Sequence, residues 1–377
     1  MFHVEQWRVD TRLFYMFQVE QWRVDTAFYM FRMEQLRGET MNIYTEQGWP
    51  DFEKIHNQKC PFIFIVGGRG TGKTYGALYD VLVRRKKKFI YLRRTDTELK
   101  VCMTDTLNPF REINHNCGLD VRIKKQNDTY ICVDGEEEIG TALALSTISN
   151  TKGMSAFDVD YIIFDEFIKD VNKRNTIKDE AKAFFDVYET VNRNRELNGA
   201  PPVIVYALAN STESANPIFI ALGLVMINER QKKRGKFPAI YKSPERGILL
   251  IDFGPDNPIS KKKKDTALYR LTRGTAYSAM ALENKFAYDN PSAQASRPLR
   301  EYIAVVFVGE LAIYRHKSKD IYYCTDHKSG GAPTYGSGQT DLARFRRAYA
   351  WLWLVYMGNR VEFENYACEA LLTNYFG

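Results

Sequence analysis

The sequence predicts a doubly wound α/β fold around a mainly parallel sheet, and three observations carry that expectation. Short β-rich runs that are nearly all apolar recur between Pro61 and Asn210, as strands covered on both faces require. Helix-like stretches separate those runs. One run opens directly into a glycine-rich loop and then a helix, the local context of a phosphate-binding turn.

Taken in chain order, the strand-like runs are "FIFIV" (Phe62–Val66), "FIYLRR" (Phe89–Arg94), "YICVDG" (Tyr130–Gly135), "TALALSTI" (Thr141–Ile148), "YIIFDE" (Tyr161–Glu166) and "VIVYALAN" (Val203–Asn210). The helical stretches between them include "TYGALYDVLVRR" (Thr74–Arg85) and "DEAKAFFDVYETVNRNREL" (Asp179–Leu197). Beyond Asn210 the texture changes. "NERQKKRGKFP" and "DNPISKKKKD" are charged, rich in turn formers, and read as linker or surface. Asp265 to Phe286 is mixed and partly helical in pattern. Two strong β runs follow, "EYIAVVFVGELAIYRH" (Glu301–His316) and "DIYYCTDH" (Asp320–His327), then a Gly/Ser/Pro-rich loop and a closing helix, "DLARFRRAYAWLWLVYM". These form a small second α/β domain.

The start of the chain repeats itself: "FHVEQWRVDTRLFYM" (Phe2–Met16) recurs as "FQVEQWRVDTAFYM" (Phe17–Met30) and decays into "FRMEQLRGETM" (Phe31–Met41). Solenoid units run about 20–50 residues, so this tandem is a poor solenoid. Residues 1–41 read as a duplicated, poorly ordered leader or extended gene start, with Met30, Met33 and Met41 as alternative initiators.

Composition sets outer bounds. Across 377 residues, 45% are hydrophobic and 26% charged, which fits a soluble globular chain with room for two domains. The net charge of +7 is compatible with a polyanionic partner without proving one. Six scattered cysteines form no CxxC pair, so neither a zinc site nor a disulfide framework is indicated. No apolar run approaches the roughly 18 residues of a membrane span, and no membrane partner is expected.

Gly67, Gly68, Arg69, Gly70, Thr71, Gly72, Lys73 and Thr74 satisfy GxxxxGK[ST] in full. The glycines let consecutive N–H groups face a nucleotide's phosphates, and the helix after them adds its dipole. Lys73 then bridges the outer phosphates and the Thr74 hydroxyl ligates Mg²⁺. The partner carboxylates should end a buried strand, and "YIIFDEF" supplies Asp165 for Mg²⁺ and Glu166 as general base for an attacking water. Asn210, closing the next strong strand, suits a sensor that hydrogen-bonds that water, although loop capping explains it almost as well. Arg193 and Arg195 end a helix shortly before the sensor strand and are candidates for a charge-stabilising arginine offered to a neighbouring subunit. Arg93 and Arg94, at a strand tip, lie near the phosphates or anchor a loop through a carboxylate.

"FIVGGRGTGKTYG", "FIYLRRTDTEL", "IIFDEFI", "ETVNRNRE" and "ALANSTESANPIF" occur in the order and spacing of phi29-type phage DNA-packaging ATPases, which this chain resembles from about Asn42 onward. "LTRGTAYSAMALENKF" resembles the region joining their two domains. The likeness is strongest from Phe62 to Phe219 and weak after about Asn290. It implies an ASCE P-loop NTPase domain over 42–258, a linker region over 259–297, and a degenerate RNase H-like α/β domain over 298–377. It further implies ATP and Mg²⁺ as cofactors and a homomeric ring, pentameric by the family's pattern, although isolated subunits are compatible with monomers. The implied partners are double-stranded DNA and the portal of a prohead, with a packaging RNA as an additional candidate. The implied location is the host bacterial cytoplasm, on the viral prohead. By motif, Arg193 matches the family's trans-acting finger, Glu166 its catalytic glutamate, and Arg69 an arginine inside its loop.

One departure bears on mechanism. Metal-dependent DNA cleavage needs several carboxylates converging on ions about 4 Å apart. "YIAVVFVGELAIYRH" offers only Glu310, and Asp320 and Asp326 stand without an evident third ligand. The expectation is therefore a non-cleaving C-terminal domain. For DNA contact the densest basic runs are "RRKKK" (Arg84–Lys88), "KKKK" (Lys261–Lys264) and "RFRRAY" (Arg344–Tyr349), each equally readable as a solvated face. Competing functions are a replicative or conjugative ring ATPase or helicase, a small-molecule kinase, and a non-hydrolysing nucleotide scaffold.

Overall fold

The structure, a computed structural model, describes residues 42–127, 129–147, 158–169, 177, 179–210, 215–254, 257–275, 278 and 296–377. The chain divides into two units, Met1–Asn42 and Ile43–Gly377, and both of its sheets belong to the second. The repeated leader, Ser211 and Thr212, and most of the "LTRGTAYSAMALENKF" segment lie outside the described residues.

A nine-stranded sheet dominates. Its strands are β1 (Phe62–Gly67), β2 (Phe89–Arg93), β3 (Val121–Gln126), β4 (Thr129–Asp134), β5 (Glu137–Ala144), β6 (Tyr161–Asp165), β7 (Ile204–Asn210), β8 (Ala239–Ser243) and β9 (Ile248–Asp252), in the order β3-β4-β5-β2-β6-β7-β1-β9-β8. The six central strands are parallel, and antiparallel hairpins close both edges. β2, β6 and β9 are buried at every position, which is why they read as unbroken apolar runs.

The helices on the two faces, in chain order, are α1 (Phe52–His56), α2 (Lys73–Leu78), α3 (Asp96–Val101), α4 (Arg111–Cys117), α5 (Glu180–Asn192), α6 (Pro217–Leu222), α7 (Val225–Lys233), α8 (Pro258–Lys263) and α9 (Ala267–Leu271). The expected helix Thr74–Arg85 changes pitch midway: α2 continues as a π-helical turn over Tyr79–Arg85. That turn lets buried Asp80 take Arg84 at 2.9 Å, Arg85 at 2.8 Å and the Tyr206 hydroxyl at 2.9 Å. The expected helix Asp179–Leu197 stops earlier, because Arg193 leaves helical geometry at φ 41° and ψ −128°.

The C-terminal segment folds on a second, five-stranded sheet: β10 (Tyr302–Val308), β11 (Leu311–His316), β12 (Tyr322–Thr325), β13 (Thr334–Tyr335) and β14 (Val361–Phe363), ordered β13-β10-β11-β12-β14. The long run Glu301–His316 is a tight hairpin turning at Gly309-Glu310. Helices α10 (Gln339–Ala348), α11 (Ala350–Met357) and α12 (Tyr366–Phe376) cover it. The expected single closing helix breaks at Tyr349, whose ring stacks on Phe345 and meets Tyr335 edge-on. One continuous apolar cluster, running from β1, β6 and β7 through Ile218, Val225 and Met226 to Leu311, Leu371 and Tyr375, joins both sheets.

Candidate active site

Parallel strands of a doubly wound sheet deliver their following loops to one edge. Here β1, β2, β6 and β7 end in Gly67, Arg93, Asp165 and Asn210 respectively, and the register pairs Gly67 with Asn210 and Asp165 with Leu208. Residues far apart in sequence thus become neighbours.

After β1 the chain turns through Gly70 (φ +62°) and Gly72 (φ +84°) into α2. Both positions require glycine in conformation, and Gly72 also in space. A Cβ on Gly72 would stand 2.7 Å from the Trp49 ring, and one on Gly70 would stand 2.2 Å from Lys263 Nζ. Lys73 folds back over the loop: its Nζ donates to the Gly67 carbonyl at 3.0 Å, the Gly68 carbonyl at 2.8 Å and Asn210 Oδ1 at 3.3 Å. Burial pushes its pKa down to about 8, with Asp165 opposing that fall and Lys263 adding to it.

Asp165 is a hub. Its Oδ1 accepts from the Thr74 hydroxyl at 2.9 Å, while Oδ2 accepts from the buried Tyr91 hydroxyl at 2.8 Å and from Arg93 at 2.9 Å. The other arm of Arg93 reaches Glu166 Oε2 at 2.8 Å. Burial works against the Arg93 charge, but Tyr91, Asp165 and Glu166 hold its proton more tightly than usual. The two carboxylates differ in setting: the Asp165 side chain is 10% exposed and that of Glu166 43%. Glu166 also occupies the left-handed region, at φ +56°, a conformation that costs a non-glycine residue about 1–3 kcal/mol and clusters at functional sites. A cavity of about 850 Å³ opens here, lined by the loop with Trp49, Tyr79, Glu166 and Asn210. That is within the size range of small-molecule sites.

The edge thus gathers Gly67 through Thr74, Asp165, Glu166 and Asn210. It does not gather Arg193. α5 begins beside the strand tips, where Glu180 takes both arms of buried Arg94 at 2.5 and 2.8 Å. Its thirteen residues then carry the chain about 20 Å to the opposite edge, where Asn192 caps the approach to β7 through the Val203 N–H. Arg193 is exposed there. Arg195 is consumed locally, on Asp160 at 2.7 Å and the Val159 carbonyl. Of the alternatives for the strand-tip arginines, Arg94 anchors α5, while Arg93 orients the carboxylate pair.

Most basic side chains of the three runs are exposed, as a solvated face requires, and several also make local contacts. In "RRKKK", Arg84 and Arg85 serve Asp80, Lys87 pairs with Asp160 and Lys88 with Asp158. In "KKKK", Lys262 and Lys263 donate to the Gln47 and Arg69 carbonyls, both at 2.8 Å. In "RFRRAY", Arg346 binds the Tyr375 carbonyl. Sequence reasoning misses Tyr91, Trp49 and Lys263 as site residues. The first two belong to no local pattern, and Lys263 is hidden in a charged run.

In the small sheet, Asp326, His327 and Glu364 bring ligand atoms within 4.8 Å of one another, so Asp326 has the neighbours that spacing did not show. Arg230 takes Asp326 at 2.5 Å and Lys233 stands 4.0 Å from Glu364, both from α7 of the large sheet. Glu310 accepts from the Met226 N–H at 3.2 Å near the start of α7, and burial raises its pKa to about 7.

β7 lies between the P-loop strand and the strand ending in Asp165, and the glycine loop after β1 opens α2. That arrangement defines an ASCE P-loop NTPase, here with a small C-terminal α/β domain. The profile of the Podovirus DNA encapsidation protein (Gp16) family matches residues 50–324, and the chain belongs to that family. The DNA packaging protein of Bacillus phage B103 is 29% identical over 292 residues, covering 74% of this chain and 82% of that protein. That of Bacillus phage phi29 is also 29% identical, over 251 residues, covering 66% and 67%. Among solved structures, a chain of the bacteriophage Phi-29 viral genome packaging motor assembly superposes with a TM-score of 0.57 at 21% identity, covering 87% of this chain and 98% of that one. The Phi-28 gp11 DNA packaging motor gives 0.55 at 17% identity, covering 88% and 98%. At those identities the superpositions speak to fold alone.

Proposed function

We propose that this protein is the ATP-hydrolysing subunit of a motor that drives double-stranded DNA into a preformed phage prohead. The observation that carries the reading is the Asp165–Glu166 pair, fixed by Arg93 at the rim of a P-loop cavity, in a chain of the encapsidation family. Its named relatives are DNA packaging proteins.

The loop N–H groups and Lys73 grip the phosphates. Thr74 and Asp165 offer hard oxygen donors side by side, a set that suits Mg²⁺. When bound, that ion neutralises charge developing on the outer phosphates. Glu166 accepts a proton from the attacking water, and Arg93 holds the carboxylate in place. Asn210, already on Lys73, completes the polar wall beside the terminal phosphate.

Arg193, a helix length from its own loop, serves the neighbouring subunit of a homomeric ring, pentameric by family pattern. The ring docks on the portal in the host cytoplasm, with a packaging RNA as a candidate tether. The small sheet holds a partner and does not cut DNA.

ATP hydrolysis measured with and without duplex DNA tests the reading. Stimulation by DNA is expected. A rate indifferent to DNA, or raised instead by a small metabolite, sinks it.

A further inference from the structure

The lysine run that looks like a surface patch in sequence contributes one side chain to the nucleotide loop. α8 is pinned before that run begins. Asn257, 1% exposed, accepts from the Ile259 and Ser260 N–H groups at 2.8 and 3.3 Å, and Ile259 and Ser260 are themselves buried. Pro258 abuts Gly48, where a Cβ would stand 2.8 Å away. From this fixed helix Lys262 reaches back to Gln47, and Lys263 reaches the P-loop itself, donating to the Arg69 carbonyl at 2.8 Å with its ammonium against Gly70.

Two ammonium groups therefore sit on carbonyls of one loop: Lys73 on Gly67 and Gly68, Lys263 on Arg69. The first half of the loop is where the P-loop lysine addresses the outer phosphates. Lys263 is half-buried and its partner is a neutral carbonyl, so it adds positive charge beside the cradle at little cost to its own hydrogen bonding. Consistent with this proximity, Lys263 makes Lys73 easier to deprotonate.

We propose that Lys263 is a positioning residue of the nucleotide site, holding the Arg69–Gly70 peptide and adding positive potential at the end of the cradle that meets a nucleoside triphosphate's terminal phosphate. This rests on the reading of the loop as a nucleotide site. It also ties that loop to α8. A charged group acting at one end of the phosphate chain discriminates by phosphate number, whereas a mere structural prop does not.

The test is equilibrium binding of a non-hydrolysable ATP analogue and of ADP to the full chain, comparing wild type with Lys263→Ala, Lys263→Arg and Lys262→Ala. Lys263→Ala should weaken the triphosphate analogue about tenfold, within the range for a hydrogen bond involving a charged group, and ADP much less. Lys263→Arg should restore most of the difference, and Lys262→Ala should leave both affinities near wild type. Equal loss for the two nucleotides overturns the proposal, as does unchanged triphosphate affinity in a variant with the wild-type melting temperature. If Lys263→Ala does not fold, failure of Lys263→Arg to keep the preference for triphosphate overturns it instead. A wild-type chain that binds neither nucleotide refutes the nucleotide-site reading, a distinct result.

Discussion

Both sheets present carboxylates at the ends of their strands, and the two sets are used in opposite ways. At the large sheet, Glu166 lines a cavity, Asp165 beside it is nearly buried, and the pair is steadied by groups of the same edge, Thr74, Tyr91 and Arg93. At the small sheet, Asp326, Glu364 and Glu310 face α7 and are met by Arg230, Lys233 and the Met226 N–H. The first set leaves one carboxylate open to a cavity; the second is divided between α7 and the small sheet's own Thr325 and His327. A cluster of acids says little about chemistry until its facing surface is known.

That contrast can be broken from either side. The largest effect is expected at the cavity. Glu166→Gln should still bind nucleotide but lose hydrolysis by about 10²–10⁴-fold, the span of general-base catalysis. Single-turnover hydrolysis beside nucleotide binding measures it, and a near wild-type rate would refute the base assignment.

Next comes pH. Lys73 holds a pKa near 8 in the folded chain against 10.5 for an ordinary lysine, chiefly through burial. Its ammonium attracts phosphates only while protonated, so triphosphate affinity should hold below pH 8 and fall above it, at most about tenfold per unit. Stability runs the other way. Between pH 8 and 10.5 the unfolded chain binds more protons at Lys73, so its contribution to stability rises with pH. Binding and melting measured from pH 7 to 10 should therefore diverge, and an affinity flat to pH 10 would contradict the burial of Lys73.

The smallest effect is expected at the joint. Arg230→Ala leaves the Asp326 carboxylate, 6% exposed, without its guanidinium. Because Arg230 is itself 56% exposed, the cost should be about 1 kcal/mol, read as a slightly lower melting temperature with hydrolysis intact. Loss of hydrolysis without loss of stability would mean that the joint takes part in turnover.

Legibility in the sequence tracks the same divide. Gly67 through Thr74 and the Asp165–Glu166 tip announce themselves because a loop motif and a strand end are local patterns. Asn210 is legible once its strand is, since register with β1 does the rest. The hub around Asp165 is not, because Tyr91 and Arg93 meet it only after β2 and β6 pair. Lys263 is illegible for the same reason: a run of four lysines hides which one turns inward. The break at Tyr349 depends on an aromatic cluster assembled from β13 and α10, which helical periodicity does not anticipate.

The position of Arg193 has a consequence best put in genetic terms. One chain carries its proposed general base at one edge of the sheet and its proposed finger at the other, a helix apart. If the finger serves a neighbour, Glu166→Gln and Arg193→Ala damage different halves of a shared site. A ring mixed from the two silent variants would rebuild a working site wherever an Arg193→Ala chain receives its arginine from a Glu166→Gln neighbour. Two dead alleles would then complement.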